Sequence, residues 1–162
     1  MQMVEEQPTS AVGAADILLV EDDPGDVELA LCALNEWNSA CRVEHVSDGA
    51  DALEYIASTG LFAPKQHGSL PRLILLDLNL RNIGGLHVLR QLKSDERTRG
   101  IPIVVLTSSK LTIEMVESYK LGVNSYVIKP TGAKKFMKAV EEIARYWLSI
   151  NEPPPLVGSL GS

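Results

Sequence analysis

A chain of 162 residues, 45% apolar and with a formal charge of −6, is long enough to bury one core without staples, so one domain with short tails is expected. No run of Lys or Arg gathers into a stripe and no apolar stretch reaches the length of a bilayer, which argues against a nucleic-acid binder and against a membrane protein. Met1 to Ala15 lack the basic-then-apolar layout of a secretory signal, so the expected location is the cytoplasm. There Cys32 and Cys41, too few and too isolated for a metal cluster, stay free thiols.

Residues 1–15 mix polar and small side chains without a period and read as a mobile lead-in. Asp16-Ile17-Leu18-Leu19-Val20 forms a short apolar strand that runs into Glu21-Asp22-Asp23-Pro24. Pro24 suits a first helical turn and an acid before it suits a cap, yet one cap needs one side chain. Three carboxylates crowd this turn, an arrangement that a hard cation such as Mg²⁺ or Ca²⁺ would relieve. The helix predicted over 25–37 sets Val27, Ala30, Leu31 and Leu34 at core spacing. Leu29, Cys32 and Ala33 widen its apolar stripe, enough to suggest a docking surface for a partner helix. Residues 41–47 read as a second strand anchored by Val43 and Val46, with His45 a strand residue and not a ligand. Asp48-Gly49 then turns into a helix over 50–58 that faces Ala52, Leu53, Ile56 and Ala57 inward. Residues 60–72 form a long irregular connection in which His67 stands alone.

Leu73-Ile74-Leu75-Leu76 is a continuous apolar run of the kind found in strands covered on both faces, and Asp77 stands at its carboxyl end. The next helical pattern begins only at Gly84 or Gly85, too far along for Asp77 to cap it, which makes this carboxylate a candidate reactive group. That helix faces Leu86, Val88, Leu89 and Leu92 inward and His87 outward. Residues 101–106 are another apolar strand, followed by Thr107-Ser108-Ser109; Thr107 is either a cap for the helix over 111–121 or a hydroxyl at the site. The helix over 111–121 is only moderately amphipathic, a sign of weak anchoring, and Gly122 closes it. Residues 125–128 make the last strand, on which Tyr126 reads as a surface residue, and it ends in Lys129-Pro130. A final helix over 133–150 carries Phe136, Val140, Ile143, Trp147 and Ile150 on one face. Asn151 and the prolines after it stop that helix, and residues 151–162 form a tail.

Five strands alternating with five helices imply a parallel doubly wound sheet, because right-handed crossovers place helices on both faces and bring all strand ends to one edge. Glu21, Asp22, Asp77, Thr107 and Lys129 then meet. Acids, a hydroxyl and an ammonium are what phosphoryl transfer with Mg²⁺ requires.

Four ordered motifs carry a resemblance: Leu18-Leu19-Val20-Glu21-Asp22, Leu75-Leu76-Asp77-Leu78-Asn79, Val105-Leu106-Thr107-Ser108 and Tyr126-Val127-Ile128-Lys129-Pro130. Over residues 16–148 the chain resembles the receiver domain of two-component response regulators. The resemblance implies a flavodoxin-like domain over residues 16–150, sheet order 2-1-3-4-5, and phosphorylation of Asp77 by a phosphohistidine of a sensor histidine kinase. It makes Asp77 the nucleophile. Asp22 and Asp77 would supply carboxylate oxygens to Mg²⁺, Glu21 would act directly or through water, and Asn79 would add its backbone carbonyl. Lys129 would pair with Asp77 and then with a phosphoryl oxygen, and Thr107 would donate its hydroxyl to another. Tyr126 would be the rotameric partner of Thr107, and their coupled movement would change the surface of the fourth helix, fifth strand and fifth helix. The Lys129–Pro130 bond would be cis, as is usual in that family.

The chain departs from the family pattern in three places: Arg81 stands where Pro is common, Gly84-Gly85 replaces Asp-Gly, and Glu21-Asp22 replaces two Asp. Asn79 and Ser108 are small enough to admit water, so slow self-catalysed dephosphorylation is expected. The long connection and the ending Ala144-Arg145-Tyr146-Trp147-Leu148 resemble single-domain regulators paired with bacterial or cyanobacterial phytochrome kinases. The expected function is thus a stand-alone phosphoacceptor and not an enzyme, signalling through protein contacts or a homodimer formed by the face of the last helix. Two alternatives are a receiver-like binding module that works without phosphorylation and an aspartyl-phosphate hydrolase. Against the hydrolase, Asn79 stands where such enzymes usually carry a second acid.

Overall fold

The computed structural model describes residues 15–58 and 70–155; the expectations for most of both tails and of the 60–72 connection, His67 included, lie outside the described residues. Strands and helices alternate as β1 (Ile17–Val20), α1 (Pro24–Trp37), β2 (Val43–Val46), α2 (Gly49–Ala57), β3 (Leu73–Leu76), α3 (Gly85–Ser94), β4 (Ile103–Thr107), α4 (Thr112–Leu121), β5 (Ser125–Ile128) and α5 (Ala133–Arg145). The strands form one parallel sheet of order β2-β1-β3-β4-β5, the flavodoxin-like order expected.

Alternation along the strands divides the core in two. Leu18, Val20, Ile74, Leu76, Ile103 and Val105 pack on one face with Ala52 and Ile56 of α2 and Val88, Leu89 and Leu92 of α3. Ile17, Leu19, Leu73, Leu75, Val104 and Leu106 pack on the other with Ala30, Ala33 and Leu34 of α1 and Phe136, Val140 and Ile143 of α5. Coverage on both faces is why β1, β3 and β4 are unbroken apolar runs, whereas the edge strand β2 is only half-buried. Among the described residues no helix is long and apolar enough to cross a membrane, and Cys32 and Cys41 are both free.

Register aims the strand ends. Val20 lies opposite both Val46 and Leu76. The ladder then continues one residue further: the Glu21 amide donates to the Val46 carbonyl at 3.1 Å and the Asp77 amide to the Val20 carbonyl at 3.0 Å. The Lys129 amide donates to the Thr107 carbonyl at 2.8 Å. Each of these side chains therefore leaves from backbone that the sheet still holds.

The helices depart from expectation in phase. On α1 the buried positions are Ala30, Ala33 and Leu34, while Leu31 is exposed. Two alanines let α1 lie close to α5, and the wider Leu31 falls outside that contact. Ala57 at the end of α2 is exposed as well. α5 keeps Phe136, Val140 and Ile143 buried but passes into a π-helical turn, Tyr146–Ile150, where the Asn151 amide reaches back to the Tyr146 carbonyl at 2.7 Å. The wider turn breaks the 3.6-residue period, so Ile150 emerges 64% exposed instead of continuing the apolar face. The described residues include no cis peptide bond, so Lys129–Pro130 is trans, the isomer X–Pro bonds in general favour.

This change of phase gives a stability prediction. Ile143→Ala removes a buried side chain and is expected to cost about 2–5 kcal/mol in urea unfolding, whereas Ile150→Ser should stay within about 0.5 kcal/mol of wild type.

Candidate functional site

The acidic stretch after β1 divides its labour. Asp23 is the N-cap of α1, its Oδ1 accepting from the Gly25 amide at 3.0 Å, with Pro24 in the first turn. Glu21 and Asp22 are left to face the sheet edge. Glu21 is buried, and its Oε1 accepts from the Asp23 amide at 3.1 Å. His45, on β2, sets its Nε2 2.7 Å from the Glu21 carbonyl oxygen, a contact that braces the end of β1.

Asp77, 4% exposed, offers Oδ1 to the Asn79 amide at 3.1 Å and Oδ2 to the Lys129 ammonium at 3.1 Å. Lys129 also reaches Glu21 Oε2 at 2.9 Å and Asp26 Oδ2 at 2.8 Å. Asp26 was not among the residues expected here. A signal for it exists: it stands four residues before Ala30 and eight before Leu34, on the stripe of α1 that is buried. A carboxylate on the inward stripe of a helix needs a partner.

Thr107 is fully buried and belongs to β4. It does not cap the following helix: the residue before α4 is Leu111, whose amide bonds Ser109 Oγ at 3.3 Å. Instead the Thr107 hydroxyl accepts from the Ser109 amide at 3.3 Å and lies against Asp77. Tyr126 is half-buried and not a plain surface residue; its hydroxyl donates to the Ser109 carbonyl at 3.2 Å. Thr107 and Tyr126 thus hold the same residue of the β4–α4 connection. Asn79 is exposed.

The loop after β3 is shaped by its glycines. A Cβ on Gly85 would run into the Asp77 carbonyl oxygen and come within 2.7 Å of Leu78 Cα, so only glycine lets α3 start against the Asp77 backbone. Gly84, in the place of the family's Asp, precedes α3 without a side-chain cap bond. Arg81 is exposed, with Nε 3.9 Å from Asp22 Oδ2.

Charge follows from this packing. Burial pushes the Glu21 carboxyl up to about 7, against the hydrogen bond from Lys129 and with the added repulsion of Asp77. Burial acts on Asp77 in the same sense but is outweighed by the Lys129 ammonium, the Asn79 amide and the Thr107 hydroxyl, so its carboxyl lies below the usual value. Burial disfavours the Lys129 ammonium, and its bonds to Asp26 and Glu21 more than reverse this, so it stays protonated.

Glu21, Asp22 and Asp77 each offer a carboxylate oxygen, and these lie within 4.8 Å of one another. An all-oxygen set without sulfur or imidazole suits a hard cation such as Mg²⁺ or Mn²⁺, and the partial exposure of Asp22 leaves a side open to water. The residues fit the cation expected from the sequence.

A parallel sheet of order 2-1-3-4-5 with acids, a buried threonine and a partly buried lysine at its carboxyl edge defines a flavodoxin-like domain of the receiver type. The chain belongs to the response regulator receiver domain family, whose description matches residues 17–141. It is 41% identical over 138 residues to the probable methanogenesis regulatory protein FilR2 of Methanothrix harundinacea, covering 85% of this chain and 86% of that one. Response regulator Rcp1 of Synechocystis is 35% identical over 132 residues, 82% of this chain and 88% of its own. The crystal structure of the phosphorylated cyanobacterial phytochrome response regulator RcpA matches with a TM-score of 0.79 and 37% identity, covering 88% of this chain and 99% of that one. Rcp1 has also been solved in an Mn²⁺-bound form. The chain is thus a response regulator receiver related to phytochrome response regulators.

Two measurements test the electrostatics and the packing. Glu21 binds its proton more tightly folded than unfolded, so its contribution is intact below its ordinary value of 4.5 and lost as pH rises through 7. Without divalent cations, stability should therefore fall across that window in urea titrations, and Glu21→Gln should flatten the slope. Gly85→Ala should cost about 1–3 kcal/mol in the same assay, since backbone must move to admit the methyl group.

Proposed function

We propose that this chain is a phosphorylation-driven switch in which Asp77 accepts a phosphoryl group from a phosphohistidine of a sensor histidine kinase, with Mg²⁺ or a similar cation required. The observation that carries this reading is the arrival at one carboxylate, Asp77, of a partly buried ammonium from the end of β5, a buried hydroxyl from β4 and two acids from the end of β1.

An Asp77 oxygen attacks the phosphorus in line as the P–N bond to the imidazole breaks; the ring nitrogen leaves with the bonding pair and takes a proton from solvent. The carboxylate has to be anionic for this, and its lowered pKa favours that form. Glu21, Asp22 and Asp77, with the Asn79 carbonyl as a further donor, would hold the cation, which would supply charge to offset the anionic phosphoryl oxygens. Lys129 turns its ammonium from the carboxylates to one phosphoryl oxygen, and the Thr107 hydroxyl donates to another. That turn costs Thr107 its bond to the Ser109 amide, and Tyr126, tied to the same residue, moves into the space released. α4 follows, since Ser118 is its only buried residue. Its exposed Ile113, Val116 and Tyr119 then present a changed surface alongside β5 and α5. Water reaching the acyl phosphate past Asn79 and Ser108 attacks the phosphorus and returns the carboxylate and inorganic phosphate, which makes the state temporary.

The relation to RcpA supports a kinase of the phytochrome class as partner. Output through protein contacts, including a homodimer formed by the last-helix face, and a cytoplasmic location complete the proposal.

Incubation with acetyl phosphate and Mg²⁺ followed by intact mass spectrometry tests the central claim. One phosphoryl group is expected on the wild type, none on Asp77→Ala or after chelation, and a rate lower by about 100-fold for Lys129→Met. An unmodified wild type, or equal labelling of Asp77→Ala, would refute it. Mg²⁺ should also bind more tightly as pH rises from 6 to 8, because Glu21 must lose its proton, with its value about 7, to act as a ligand.

A further inference from the structure

We infer that Asp26 is a positioning residue for the transfer proposed above, on which this inference rests: it is the standing counter-ion that keeps the Lys129 ammonium beside the acceptor.

An ammonium has three N–H donors, and Lys129 directs them to three carboxylates, at 2.8 Å to Asp26, 2.9 Å to Glu21 and 3.1 Å to Asp77. Two of these partners are shared. Glu21 and Asp77 belong to the group whose oxygens converge within 4.8 Å together with Asp22, so a cation there competes with Lys129 for both. Phosphorylation then converts the Asp77 carboxylate into an acyl phosphate, a mixed anhydride that no longer carries the carboxylate charge. Asp26 lies outside the convergent group, makes the shortest of the three contacts, and has no second ion pair among the described residues. It is the one anion that neither step takes from the lysine.

Its own position is well held. Asp26 sits in the first turn of α1, where the helix dipole favours a carboxylate, directly after the Asp23 cap and Pro24. One turn further on, Ala30 is buried against the α5 side of the sheet. The lysine, in contrast, has a long stem with many rotamers. Asp26 and Lys129 line a common cavity of about 330 Å³ with Ser108, Pro130, Thr131 and Phe136, so an ammonium released by Asp26 has room to swing away from Asp77.

The test compares phosphorylation rates with acetyl phosphate and Mg²⁺ for wild type, Asp26→Asn, Asp26→Glu and Lys129→Met, and for the Asp26→Asn/Lys129→Met pair. Asp26→Asn should be about tenfold slower, and Asp26→Glu should recover most of that loss. In the Lys129→Met background Asp26→Asn should add nothing, because the residue acts through the lysine. A merely structural effect would persist there. Equal rates for wild type and Asp26→Asn, or an undiminished Asp26→Asn effect without Lys129, would overturn this inference and leave the proposed function standing. A wild type that takes no phosphoryl group would overturn both.

Discussion

The Lys129 ammonium sits where three carboxylates would otherwise repel one another at close range at a partly shielded edge of the sheet. Coulomb forces between such groups are much stronger there than in bulk water. Breaking a buried ion pair is costly because it leaves a charge without a partner. Here the loss would be compound. Burial and the nearby Asp77 charge raise the Glu21 carboxyl to about 7 even with the lysine present, so a further negative charge at this point is disfavoured. Glu21 with its raised pKa, Asp77 with its lowered one and the protonated Lys129 form one electrostatic unit.

The sheet makes that unit possible. Parallel pairing carries the ends of β1, β3, β4 and β5 to one edge, and the backbone ladder extends one residue past the strands at Glu21, Asp77 and Lys129. Buried aliphatic side chains lie directly beneath, so the polar groups rest on a floor that neither water nor backbone motion readily disturbs. Gly85 contributes at the same place by allowing α3 to begin against the Asp77 backbone.

The helices around this edge are held unequally. α1 and α5 share a core through Ala30, Ala33, Leu34, Phe136 and Val140, and they carry or flank the groups that pair with Lys129. α4 buries one serine and leaves Leu111, Ile113, Val116 and Tyr119 near it in solvent. Its link to the site runs through Ser109, which both Thr107 and Tyr126 hold. A firmly packed side thus lies beside a loosely anchored one, and elements that move are drawn from the less stable parts of a fold.

Much of this was legible in the chain. Unbroken apolar runs specify strands covered on both faces, and alternation with helices specifies the parallel sheet, so Glu21, Asp22, Asp77, Thr107 and Lys129 could be placed at one edge without coordinates. Local chemistry also sufficed for Gly122, which closes α4 at a φ of 99°. Helix phase was another matter. Whether Leu31 or Ala33 faces the core depends on how closely α1 approaches α5, and Ile150 leaves the apolar face because of a π turn that the residue pattern does not announce. The division of Glu21, Asp22 and Asp23 into buried acid, half-exposed acid and helix cap, and the meeting of Asp26 with Lys129 across more than a hundred residues, arise only in three dimensions. Periodicity reports what one element buries; which charge it meets there is decided by the elements packed against it.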